Sequence, residues 1–199
     1  MGGWLTIVIK VEASADYPIV KGEILTGGII VYPTDTLYGL GCDPSNGNAV
    51  ARVAELKGRS RQQPVSVAFH SFQAAKAWLD IAPAVAREAK RLLPGPVTLI
   101  LKASAAAPPS IVFDGNIGLR VPDDERVLKF LKACGPLTAT SANRHGEKAP
   151  AALAELSHEI RHAIKICVDG GFAKYARPST VIDMTGGKPA TVREGAGNG

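Results

Sequence analysis

Three groups of residues in this 199-residue chain carry side chains suited to holding an anion. The first is Tyr32-Pro33-Thr34-Asp35-Thr36, where two hydroxyls flank a carboxylate directly behind the apolar run Ile29-Ile30-Val31. In an extended segment alternate residues share a side, so Thr34 and Thr36 point one way and Asp35 the other. The second is Lys57-Gly58-Arg59, two cations two residues apart. Inside a helix they would diverge, but glycine ends a helix readily, and an extended exit lets both face one way. The third is Ser141-Ala142-Asn143, whose hydroxyl and amide can share a face. To these is added Arg120, alone between Leu119 and Val121. A guanidinium there has to pair, reach an opening or bind a ligand, because burying it alone is costly. Each group also has a plain reading: a turn behind a strand, or cations drawn to the negative end of a helix dipole.

The elements that must position these groups follow from hydrophobic period and from capping residues. Strands are expected at 5–11, 29–32, 65–69, 97–101, 118–122, 165–169, 179–183 and 190–193. Pro33 ends the second, since it has no N–H to donate. Helices are expected from Asp16-Tyr17-Pro18 to Gly27, at 49–57 behind Asn46, from Ser71 to 79, and from Pro83 to 93. Two more run from Asp123 or Asp124 to 133 and beyond Pro150 to 164. The last would carry His158 and His162 four residues apart, which without a third ligand read as surface residues. No repeat and no long linker interrupts the series, so the expectation is one α/β domain over 1–199 with a mixed sheet.

Composition bounds the partners. A hydrophobic share of 46% with 21% charged residues suits a soluble globular chain, and no apolar run approaches the roughly 18 residues a bilayer span needs. The start Met1-Gly2-Gly3 has neither a secretory pattern nor a second anchor to support acylation. Three dispersed cysteines suit a reducing, cytoplasmic setting, and a net charge of +5 permits nucleotides, carboxylates or RNA. The chain has no GxGxxG behind a strand, no Walker A loop, no GxSxG elbow and no HExxH. Phosphates would therefore be held by side chains and irregular backbone.

Taken together and in order, YPTDTLYGLGCD (32–43), Lys57-x-Arg59, PGPVTLIL (94–101), GLRVPD (118–123), Thr140-Ser141-Ala142-Asn143, STVID (179–183) and Arg193-Glu194-Gly195 resemble the YrdC-type L-threonylcarbamoyladenylate synthases over residues 17–195. The resemblance implies a YrdC-like twisted open mixed sheet with flanking helices and a basic concave cavity. It implies that L-threonine, bicarbonate and ATP give threonylcarbamoyl-AMP and pyrophosphate, for the threonylcarbamoyladenosine modification of tRNA. A separate transferase machinery would complete that modification. Magnesium is expected through the ATP phosphates, with no metal site of the protein's own. Carried over residue by residue, Lys57 and Arg59 become the catalytic pair, and Thr36, Arg120 and Ser141 bind threonine. Lys57, Arg59, Gln63, Ser141, Asn143 and Arg193 contact ATP. Four positions depart from the pattern: Ala68 where some members have histidine near threonine, Ala149 and Ala151 where serine is frequent, and His145 in place of a small residue. The alternative reading is a module that binds double-stranded RNA or tRNA in the same basic cavity.

Overall fold

The computed structural model describes residues 6–60, 63–186 and 188–197. Met1-Gly2-Gly3, Leu5 and Gly187 lie outside them. In chain order the strands and helices are β1 (Ile7–Lys10), α1 (Tyr17–Leu25), β2 (Ile30–Tyr32), β3 (Gly39–Gly41), α2 (Gly47–Leu56) and β4 (Ser66–Ala68). Next come α3 (Phe72–Ala75), α4 (Pro83–Leu92), β5 (Val97–Lys102), β6 (Asn116–Arg120), α5 (Glu125–Cys134), β7 (Leu137–Thr138) and β8 (Thr140–Ser141). The chain closes with α6 (His158–Ala163), β9 (Ile166–Asp169), β10 (Thr180–Asp183) and β11 (Ala190–Arg193).

The strands form two mixed sheets where one was expected. A five-stranded sheet has the order β1-β9-β2-β3-β8, and a six-stranded sheet the order β11-β10-β5-β6-β4-β7. The chain changes sheets three times, between β3 and β4, at Ala139 between β7 and β8, and between β9 and β10, and the Ala139 N–H donates to the Ser66 carbonyl at 2.7 Å. Thr138 pins this crossing: its hydroxyl donates to the Leu40 carbonyl, its carbonyl accepts from the Tyr32 hydroxyl, and the Cys42 N–H donates to its Oγ1.

Helices cover both faces of the first sheet, which explains why its central strands read as unbroken apolar runs. Ile30 and Tyr32 of β2, with Ile166 and Val168 of β9, pack against α1 and α5 through Val20, Ile24, Val127, Phe130 and Leu131. The alternate residues Ile29, Val31 and Cys167 face Ala49 and Val53 of α2 and Ile160 of α6. Burying a ring such as Phe130, which stands edge-on to Tyr17 at 5.4 Å, stabilises by about 1.5–3 kcal/mol. The second sheet packs Val67, Leu99, Leu101 and Leu119 against α3 and α4 through Ala75 and Ala89.

Three helix expectations are corrected. Asp16 stands at the start of α1, but its side chain caps nothing. The helix from Ser71 is capped as expected, by Ser71 Oγ accepting from the Ala74 N–H, but tightens after Ala75 into a 3₁₀ turn, Lys76–Trp78. The long helix beyond Pro150 is only α6. Glu155 turns back to accept from the Ala151 N–H at 2.8 Å, Leu153–Glu155 forms one 3₁₀ turn, and Ser157 caps a fresh start.

Candidate active site

The site is built where the two sheets meet. After β2, the Pro33 break turns Thr34 and Thr36 to one side. Their hydroxyls lie 3.0 Å apart, and Thr34 Oγ1 also donates to the Leu37 carbonyl at 2.6 Å. Asp35 is fully buried. From the second sheet, the end of β6 delivers Arg120, whose Nη2 lies 2.8 Å from both Asp35 Oδ1 and Thr36 Oγ1. The pairing is one-sided, because Asp35 Oδ2 and Arg120 Nε are buried with no hydrogen-bond partner among the described residues. Burial pushes the Asp35 carboxyl above its ordinary range, and Arg120 opposes that shift.

α2 ends as its sequence requires: Asn46 accepts from the Ala49 N–H at its start, and Gly58 at φ +62 closes it. The two cations beyond the helix then part company. Lys57 is 2% exposed, and its Nζ donates to the carbonyls of Ser141 and Asn143 and to Asn143 Oδ1 at 3.2 Å. Ser141 Oγ donates to the same Oδ1 at 2.5 Å, while Asn143 Nδ2 donates to the carbonyls of Arg144 and Glu147. The Lys57 carbonyl in turn accepts from the His145 N–H. Burial, then the positive charge of Arg59, pulls the Lys57 ammonium down to about 8. Lys57 is thus the knot that binds the end of α2 to residues 141–145. Arg59 is half-buried, and its Nε has no hydrogen-bond partner among the described residues.

These segments enclose a cavity of about 670 Å³, within the range of small-ligand sites. Thr36, Arg59, Arg120, Ser141, Asn143 and Arg193 all line it. Lys57 and Gln63 do not. They line a crevice of about 30 Å³ that shares Arg59, Pro64, Val65 and Thr140 with the cavity wall. Arg193 enters from β11, and its Nη2 donates to the Ser179 carbonyl at 2.8 Å. Desolvation, then the charges of Arg120 and Arg59, lowers its pKa below the usual guanidinium value, the mark of three converging cations. The lining is not purely basic, since Asp114, Glu147 and Asp183 also contribute to it. Ala149 lines the cavity, whereas Ala68 and Ala151 are buried in apolar clusters and do not, although Ala151 packs with Leu37 and Ala149 of the lining.

Asp35 is the residue that sequence reasoning left without a role. A signal was present: one carboxylate inside an apolar motif and one arginine inside an apolar strand are natural partners, since either alone would be costly to bury. His158 and His162 stack at 3.9 Å on an exposed face of α6, and among the described residues no group of three His, Cys, Asp or Glu side chains could hold a metal.

A two-sheet α/β fold whose meeting edge encloses a cavity with converging guanidiniums and hydroxyls defines the class, and comparison with known proteins defines the family. A family model for Sua5, YciO and YrdC, described as "Telomere recombination", matches residues 23–195, and the chain belongs to that family. A putative threonylcarbamoyl-AMP synthase of Methanocaldococcus jannaschii is 35% identical over 175 residues, covering 88% of this chain and 83% of that protein. The threonylcarbamoyl-AMP synthase of Pyrococcus abyssi is 33% identical over 96% of this chain, which spans only 58% of that longer protein. Among solved structures, P. abyssi Sua5 complexed with L-threonine is similar with a TM-score of 0.84, at 33% identity over 96% of this chain and 58% of that one. E. coli YciO has a TM-score of 0.87 at 26% identity, over 100% of this chain and 98% of that one.

Proposed function

We propose that this chain is an L-threonylcarbamoyladenylate synthase: it makes threonylcarbamoyl-AMP and pyrophosphate from L-threonine, bicarbonate and ATP. The observation that carries the reading is the single cavity, into which chain segments far apart in sequence bring Thr36, Arg59, Arg120, Ser141 and Arg193. The relatives' names supply the reaction, and the cavity supplies side chains suited to it.

The threonine amine attacks the carbon of bicarbonate, a C–N bond forms, and water leaves. A carboxylate oxygen of the resulting carbamate then attacks the α-phosphorus of ATP, and the bond to the β-phosphate oxygen breaks to release pyrophosphate. Both partners in the second step are anions, so fixed positive charge lowers the barrier where their repulsion peaks. Arg59 and Arg193 serve the phosphates. Arg120, held through Nη2 by Asp35 and Thr36, presents its guanidinium to the threonine carboxylate. Ser141 and Thr36 present hydroxyls to the amino acid. Lys57 adds its charge from behind Ser141 and Asn143 and keeps that wall in place. Gln63 borders the adjoining crevice as a nucleotide contact, and Asn143 acts mainly through its fixed place in the wall. Holding the labile carbamate beside the α-phosphate lets transfer outrun its loss to water.

Magnesium carried on the ATP phosphates would neutralise charge there. The product is an activated carbamoyl donor, consistent with a tRNA-modifying transferase downstream in the cytoplasm. No helix among the described residues is long and apolar enough to cross a membrane. An RNA-binding role for the cavity leaves the hydroxyls and amide of Thr36, Ser141 and Asn143 without a task, since a phosphate backbone is held by spread cations. Pyrophosphate release that requires threonine and bicarbonate together supports the enzyme. Release indifferent to threonine would overturn the substrate assignment.

A further inference from the structure

Away from the cavity, the side chains of α6 divide into those with a partner in the fold and those without. Ile160 is buried against the first sheet. Glu159 Oε2 accepts from Arg144 Nη1 at 2.8 Å, and Arg161 Nη2 donates to the Leu153 carbonyl at 2.6 Å. Of the polar side chains on α6, only the imidazoles of His158 and His162 have no hydrogen-bond or ion-pair partner among the described residues. Both are exposed, and they stand against each other with ring centroids 3.9 Å apart and planes inclined at 44°. Spacing in the sequence marked them only as surface residues; the structure adds that they are unengaged and in contact.

The backbone beneath the two rings is fixed at both ends. Ser157 Oγ accepts from the Ile160 N–H at the start of α6, and Thr6 Oγ1 donates to the Arg161 and Ile164 carbonyls at its close. Residues four apart on a helix are neighbours, so this anchoring keeps both rings on one face. Two cis ligands, each about 2.0–2.1 Å from a metal ion, place their nitrogens about 2.9–3.4 Å apart. Rings with centres 3.9 Å apart reach that spacing by turning about their own side-chain bonds. The fold itself supplies the chelating geometry, and little ordering is left to oppose binding.

We propose that His158 and His162 form a two-ligand site for a late first-row divalent metal ion, with water in its remaining positions. Imidazole suits copper, nickel and zinc rather than magnesium, so the site is separate from any magnesium carried on ATP. Two protein ligands fall short of the three or four that hold a resident zinc ion, so the ion exchanges with solvent. Bound there, it ties the first residue of a six-residue helix to its fifth and stabilises the folded chain by mass action. The site is independent of the reaction proposed above.

The test titrates the full chain, free of any histidine tag, with copper, nickel, zinc and magnesium chlorides in turn by calorimetry. Cu²⁺ should bind at about one equivalent with micromolar affinity, Ni²⁺ and Zn²⁺ more weakly, and Mg²⁺ not at all. The three cysteines are buried and do not compete. His158→Ala and His162→Ala should each weaken Cu²⁺ binding by about tenfold or more, because the second nitrogen no longer binds intramolecularly. The electron paramagnetic resonance spectrum of the wild-type copper complex should show two coordinated nitrogens, and that of either variant one. Cu²⁺ should raise the Tm of the wild type and leave that of the variants unchanged. Since both rings are exposed, the variants keep their core, and circular dichroism without added metal should match wild type. Copper binding that survives either substitution, or a wild-type chain that takes up none, overturns the site.

Discussion

At the scale of the residue, Lys57 holds an unusual position: a buried cation whose hydrogen-bond partners are carbonyl, amide and hydroxyl oxygens. Its acceptors call for three donors, which only the ammonium supplies. Below about pH 8 Nζ is protonated and the knot is closed; above it Nζ is neutral and cannot satisfy all of them. Activity at saturating threonine should therefore fall as pH rises through about 8. Lys57→Arg keeps its charge at that pH, so its profile, divided by that of wild type to cancel titration of the substrates, should rise through the same window. A flat ratio would show that Lys57 does not set the profile. The Asp35–Arg120 pair gives a prediction about stability. Removing one partner of a buried pair leaves the other uncompensated, so Asp35→Ala should cost about 3–5 kcal/mol in urea unfolding. Adding Arg120→Met should recover a large part of that loss.

At the scale of the element, the backbone near the site is held by close approaches that tolerate no added atom. A Cβ on Gly41 would lie 2.7 Å from the Tyr32 ring, and that ring is fixed by its hydroxyl bond to the Thr138 carbonyl. Gly41→Ala should destabilise by about 1–3 kcal/mol and lower the melting temperature, because β3 must shift against β2 or Tyr32 must turn. Strands and helix starts with a local cause were legible in the sequence. Asn46, Ser71 and Asp124 cap the helices they precede, and Pro33 ends β2. Elements decided by distant contacts were not. The helix expected beyond Pro150 is interrupted because Glu155 bonds back to the Ala151 N–H, an option that an apolar stripe does not reveal. The short crossing between the sheets is held by the Ala139 N–H on the Ser66 carbonyl, 73 residues earlier in the chain, which no local pattern encodes.

At the scale of the whole molecule, the two sheets act as one device, since each brings part of the lining and neither closes the cavity alone. Thr36 comes from the β2–β3 loop and Ser141 from the edge strand β8 of the first sheet, and Arg120 and Arg193 from strands of the second. Ordered motifs in the sequence indicated which residues meet, and Thr36, Arg59, Arg120, Ser141, Asn143 and Arg193 do line one cavity. The sequence did not reveal that Lys57 faces away into the Ser141–Asn143 wall, or that three carboxylates accompany the arginines, because both depend on loop paths. The central claim is that this cavity joins bicarbonate to threonine and then to AMP. Its most direct test supplies ¹³C-bicarbonate, ¹⁵N-threonine and ATP to the full chain and weighs the nucleotide product. A single adenylate carrying both labels, formed together with pyrophosphate, is the predicted result. Pyrophosphate release that yields only AMP, or an adenylate lacking either label, would contradict it.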